Sequence, residues 1–117
     1  MAISTQSVTS EQQVWNSSYA FAYPSLNVNA KGEIAIAVGV GGSKNNAHSS
    51  FGIIGDHTVW HVDEGDTTPA RWGDYLTVRS NQRNSSHFAG FGYYTTQNPN
   101  DASKYDAHPF YLVFGRP

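Results

Sequence analysis

Five consecutive residues, Arg71-Trp72-Gly73-Asp74-Tyr75, place a guanidinium, an indole, a carboxylate and a phenol side by side. That mixture suits a polar ligand with an apolar face, a sugar above all. An indole or phenol ring stacks on the pyranose face, and carboxylate and guanidinium groups hydrogen-bond its hydroxyls. Trp60, upstream, supplies a second indole, so Trp60, Arg71, Trp72, Asp74 and Tyr75 form the candidate ligand-binding set. The same five-residue run also suits a corner where a loop turns into a strand. In that reading Asp74 accepts backbone N–H groups, Arg71 pairs with it and Trp72 fills a gap.

Other chemistry-bearing residues point to less. Asp63, Glu64 and Asp66, with Asp56 nearby, offer oxygen ligands for Ca²⁺, but the EF-hand spacing is missing and a solvated acidic loop is expected. The five histidines are His48, His57, His61, His87 and His108. His57 and His61 are four apart, which on a strand separates them by ~13 Å, too far for one metal. No metal site and no cofactor is expected. With no cysteine there is no thiol nucleophile, disulfide or Cys-based zinc site, and no G-x-S-x-G occurs. Glycoside hydrolysis needs two carboxylates about 5–10 Å apart, and nothing in the linear spacing brings such a pair together. The ring-bearing residues Trp15, Tyr19, Phe21, Tyr23, Tyr93, Tyr94 and Tyr111 join the candidate set as either a carbohydrate platform or core and interface packing.

The elements that position these groups read as strands. The chain of 117 residues is 14% aromatic and only 14% charged, against the usual ~25% charged, and carries 11 glycines, a composition of all-β rather than helical or disordered chains. No apolar i, i+3, i+4, i+7 pattern persists over ten residues, so no helix is expected. The net charge of −2 and the scattered basic residues argue against nucleic acid or an anionic membrane as partner. Met1–Val8 lacks a basic segment and an apolar core, so no signal peptide is expected there, and the compartment stays open.

Residues 1–13 are polar and read as a flexible or edge segment, and 14–117 as one all-β domain of two units, about 14–66 and 67–117. Val14–Tyr23 is expected as an outer or closing strand. Leu26, Val28 and Ala30 alternate with Ser25, Asn27 and Asn29, which predicts a half-buried strand with the apolar set inward. Ala30-Lys31-Gly32 reads as a hairpin turn. In Glu33–Val40, Ile34, Ile36, Val38 and Val40 oppose Ala35, Ala37 and Gly39, so both faces are expected to be buried. Gly41–His48 reads as a loop, Ser49–Ile54 and Thr58–Val62 as strands, and Asp63–Pro69 as an acidic loop. Tyr75–Arg79 and Phe88–Tyr94 alternate, Gln97–Ala107 reads as a loop, and Pro109–Gly115 as a buried strand.

The unit that starts at Tyr23 recurs at Arg71: an extended stretch, a polar turn, then an apolar strand rich in small residues. Tyr23-Pro-Ser-Leu-Asn-Val-Asn-Ala-Lys-Gly-Glu-Ile-Ala-Ile36, Arg71-Trp-Gly-Asp-Tyr75 and Phe91-Gly-Tyr-Tyr94 resemble, in order and rough spacing, the C-terminal part of bacterial sialidase-like (BNR-type) β-propellers. The Asp-box of classical sialidases is absent, as are the upstream blades. The resemblance therefore implies fold rather than catalysis. It implies an all-β, antiparallel fold of two β-propeller-like blades, and an extracellular setting.

Two blades cannot close a ring of about 4–8. The chain is then either part of something longer or completed by homo-oligomerisation, three copies giving six blades and four giving eight. The expected function is non-enzymatic, lectin-like carbohydrate binding at blade junctions. The alternatives are a sialidase-like glycoside hydrolase with Asp74 or Glu64 as the acid, or a structural propeller piece with no ligand.

Overall fold

The computed structural model describes residues 7, 8, 11, 13–56 and 63–117, and the backbone of 59–61. The segment expected to be flexible or an edge, 1–13, falls mostly outside the described residues. Among those residues the fold is all-β and antiparallel, with no helix. β1 (Ala20–Val28), β2 (Ile34–Gly42), β3 (Asn45–Ile53) and β4 (Val59–His61) form one meander. β5 (Thr77–Ser80), β6 (Phe88–Gln97) and β7 (Tyr105–Phe114) form a second. The two sheets pack against each other, β1 beside β5 and β3 beside β6.

The β1–β2 turn is built around Asn29. Its Oδ1 accepts the N–H groups of Lys31 and Glu33, and Gly32, at φ +77°, donates to the Asn29 carbonyl. Asn29 Nδ2 also donates to the Ser86 carbonyl, tying this turn to the one between β5 and β6. The β2–β3 connection is tighter than the sequence suggests. The glycine- and asparagine-rich run Gly41–His48 is mostly strand, and only Ser43-Lys44 lies between β2 and β3.

The core lies between the sheets. Ala35 and Ala37 of β2 share a face with Ile53 and Phe51 of β3. Opposite them stand Val78, Phe88, Phe110, Leu112 and Phe114 of the second sheet. The Phe51 ring lies on Gly90, where a Cβ would come within 2.6 Å of it. The Phe51 ring meets Phe110 edge-on and Phe114 tilted, both at 6.1 Å between centroids. Small residues on one layer thus receive rings from the other, which brings the sheets to close contact. Burying each such ring contributes about 1.5–3 kcal/mol. The opposite face of β2 is buried as well: Ile36, Val38 and Val40 pack with Tyr19, Phe21 and Ile54. Ile34, at the start of the strand, is exposed.

Three further expectations are corrected. Val14–Tyr19 is not a strand: β1 starts at Ala20 and runs on through Tyr23-Pro24, with an irregularity between Ala22 and Ser25 that accommodates the proline on this edge strand. Within β1, Leu26 and Val28 point outward, and Ser25 and Asn27 take the half-buried positions. Sheet two runs close over that side of β1, and the Ser25 hydroxyl accepts the Val78 N–H at 3.3 Å. β7 is not a fully buried strand but an edge strand of alternating exposure, because a second layer covers only its Phe110/Leu112/Phe114 side.

Candidate functional site

Arg71–Tyr75 lies in the connection that carries the chain from sheet one to β5. Gly73 is its pivot. It sits at φ +122°, where the Tyr23 ring leaves no room for a Cβ, and its N–H donates to the Tyr93 hydroxyl at 3.1 Å. Tyr23 of β1 and Tyr93 of β6 thereby hold the motif between the two sheets. Tyr93 is itself fixed through its backbone: its N–H donates to Ser49 Oγ, and that hydroxyl donates back to the Tyr93 carbonyl.

This pivot sends the two flanking rings in different directions. Trp72 turns inward, stacking on Tyr93 with centroids 5.2 Å apart and lying on Gly39, where a Cβ would come within 2.8 Å of the indole. Its Nε1–H is buried with no partner among the described residues. Tyr75 turns outward and is 88% exposed. It adopts φ +72°, and the other non-glycine residue with positive φ among those described is Tyr23, at +55°, which packs on Gly73. Each such conformation costs of order 1–3 kcal/mol, and strain of this kind collects at functional positions.

Tyr75 and Arg71 line a groove of about 490 Å³ with Pro69, Phe91, Tyr93 and Tyr105. The floor is the outer face of sheet two. Register places Phe91 opposite Tyr111, and the two rings stack at 6.1 Å. The groove thus combines a guanidinium with exposed ring faces.

The structure brings Arg71 and Tyr75 together in this groove and places Trp72 in the junction between the sheets. Asp74 is exposed and makes no hydrogen bond or ion pair among the described residues. The Arg71–Asp74 pair of the corner reading does not form, while Trp72 fills the gap as that reading expects. Trp60 belongs to β4, where Phe51 is its register partner, and its side chain lies outside the described residues.

Phe91 and Tyr105 are groove residues that the sequence reading did not place among the ligand candidates. The signal for Phe91 is its register opposite Tyr111, which becomes visible only once β6 and β7 are paired. Tyr105 sits within the stretch read as a loop.

Three of the four carboxylates of the candidate Ca²⁺ group have structural employment. Asp63 Oδ1 accepts the Gly65 N–H. Asp66 Oδ1 accepts the Gln97 N–H at 2.6 Å, and its own N–H donates to the Thr95 carbonyl, so the acidic loop covers the free edge of β6. Asp56 and Glu33 both pair with Arg116, which joins the C-terminal segment to sheet one. The Asn29 amide, aided by Arg116, holds the Glu33 carboxyl below its ordinary value of 4.5. Glu64 is exposed and unpaired among the described residues.

His48 is buried with its ring nitrogen 2.8 Å from the Asn46 carbonyl. His108 stacks on Tyr94 and bonds Thr96. His57 lies outside the described residues, as does the His61 side chain. Among the described residues no three His, Cys, Asp or Glu side chains converge on a point that could hold a metal.

No protein family, curated protein or solved structure matches the chain. The functional reading therefore rests on this geometry.

Proposed function

We propose that this chain is a non-enzymatic carbohydrate-binding module whose two meanders are consecutive blades of a β-propeller-like stack. Two antiparallel meanders packed face to face in chain order support the blade reading, and ring closure would come from further copies. The observation that carries the binding reading is the outward Tyr75. A tyrosine held at a costly backbone angle and presented almost fully to solvent contributes little to folding. It stands beside Arg71, Phe91 and Tyr105 in an open, ring-lined groove. Sugars bind such surfaces by stacking their C–H faces on the rings, while a guanidinium takes the hydroxyls. The motif divides the labour: Trp72 and Gly73 fix the loop, and Arg71 and Tyr75 meet the ligand.

A glycan array probed with the protein tests this. Binding to a defined set of oligosaccharides is expected, with Tyr75→Ala and Arg71→Ala each removing it while the melting temperature stays within a degree or two. A blank array, or binding that Tyr75→Ala leaves intact, would overturn the proposal.

A further inference from the structure

The Arg71–Tyr75 groove does not end at Arg71. At Pro69 it meets a second hollow of about 280 Å³. The floor of that hollow is made of small residues, since register sets Ala20 opposite Gly41 and Ala22 opposite Gly39. Tyr23, 55% exposed, stands beside the floor. At Gly41, Gly42, Ala47 and Thr68 this hollow joins a third, of about 500 Å³, at the tip of the β2–β3 hairpin. There Ser43, Lys44, Asn45 and Asn46 supply a hydroxyl, an ammonium and two amides. The tip is already tied to the segment that leads into the motif. Thr68 Oγ1 accepts the Ala47 N–H at 2.7 Å and donates to Asn46 Oδ1 at 3.3 Å. A ligand reaching this end therefore has little left to order, and binding loses less to entropy.

Charge along this track has one sign. Arg71 stands at one end and Lys44 at the other, and neither pairs with a carboxylate among the described residues. The chain carries nine Asp and Glu and a net charge of −2, yet none of the nine lines any of the three hollows. An anionic group can pair with either cation without meeting a fixed negative charge in the lining.

We infer that the ligand is an extended acidic oligosaccharide that lies along all three hollows, with anionic groups at Arg71 and at Lys44. Its middle residues cross Pro69 and pass over the small-residue floor beside Tyr23. This rests on the carbohydrate reading, and goes beyond it by giving the ligand a charge and the site a second end. Once one end of the chain is held, contact at the other is intramolecular, so two weak ends give a tight whole. Carboxylate and sulfate groups share this chemistry.

Calorimetry tests it with galacturonate oligomers of two and eight sugars, sulfated galactose oligomers of the same lengths, and neutral galactose oligomers as the control. One acidic octamer is expected to bind at least tenfold tighter than its own dimer and than the neutral octamer. Its advantage over the neutral chain should shrink as salt rises. Which acidic series shows this identifies the anion. Lys44→Glu is expected to bring that octamer down to the affinity of the dimer and to leave the dimer, held at Arg71, unchanged. Lys44 is exposed at the hairpin tip, so the variant should melt like the wild type, and Lys44→Gln stands in if it does not.

A neutral octamer that binds as tightly as the acidic ones would overturn the inference and leave the carbohydrate reading standing. So would an acidic dimer that matches its octamer, or an octamer indifferent to Lys44→Glu. Failure of both acidic series to bind overturns it as well, and a blank glycan array would then show that the carbohydrate reading had failed with it.

Discussion

The two sheets use the same residue types in opposite ways. In sheet one the second strand is buried on both sides, with Ala35, Ala37 and Gly39 toward sheet two and Ile36, Val38 and Val40 packed behind them under Tyr19, Phe21 and Ile54. In sheet two, one face supplies the core and the other shows its rings to solvent, Phe91 stacked on Tyr111 and Tyr105 beyond. The motif between them repeats this contrast on a smaller scale, with Trp72 on the sheet-one side against Gly39 and Tyr75 on the outer side of sheet two. An aromatic residue on its own therefore says little about its role in this chain. What decides the role is whether a layer of small residues faces it.

The strongest test of that contrast lies in the core. Phe51→Ala removes the ring seated on Gly90 and should cost about 3–5 kcal/mol in urea unfolding. Phe91→Ala on the outer face of the neighbouring sheet should cost less than ~1.5 kcal/mol, since its ring already meets water. Equal losses would break the contrast.

Next comes the pivot. Gly73→Ala sets a Cβ against the Tyr23 ring at a backbone angle that L-residues resist, and a loss of about 2–3 kcal/mol is expected. Trp72→Ala should fall in a similar range. Trp72→Phe should cost less, because it keeps a ring on Gly39 and Tyr93 and removes the buried N–H that has no partner among the described residues. If Trp72→Phe is as costly as Trp72→Ala, that N–H has a role which packing does not capture.

The smallest expected effect concerns acid. The folded protein holds the Glu33 carboxyl below 4.5, chiefly through the Asn29 amide and then through Arg116. A lowered folded value means the unfolded chain binds the proton more readily. The stabilisation is therefore fully present above about pH 4.5 and is lost as pH falls through the lowered folded value. Melting temperature against pH should show this decline, and Arg116→Met should reduce it only in part, since the Asn29 amide remains. An unchanged slope would remove the Arg116–Glu33 pair from the account.

Much of the architecture was legible because it follows from local rules. Pro24 had to lie at an edge, Ala30-Lys31-Gly32 had to turn, and the doubled apolar pattern of Glu33–Val40 had to be covered on both sides. What was not legible depends on the neighbouring layer. Leu26 and Val28 alternate as a buried set should, yet β5 runs close over the inner side, where Ser25 and Asn27 sit, and donates a hydrogen bond to Ser25. Pro109–Phe114 is apolar on both sides, and nothing local says which side meets a second sheet. In the site, the motif announced itself through its composition. The division of Trp72 from Tyr75 could not be read there, because it depends on the φ of Gly73 and on where Tyr23 and Tyr93 stand in the folded chain.

The most direct test is oligosaccharide affinity measured by calorimetry, with melting curves, for wild type, Tyr75→Ala and Trp72→Phe, using the best ligand from the array. The account predicts that Tyr75→Ala weakens binding at least tenfold, about 1.4 kcal/mol, with an unchanged melt, and that Trp72→Phe lowers the melt while affinity holds. Wild-type affinity in Tyr75→Ala, or lost affinity with an unchanged melt in Trp72→Phe, would contradict it.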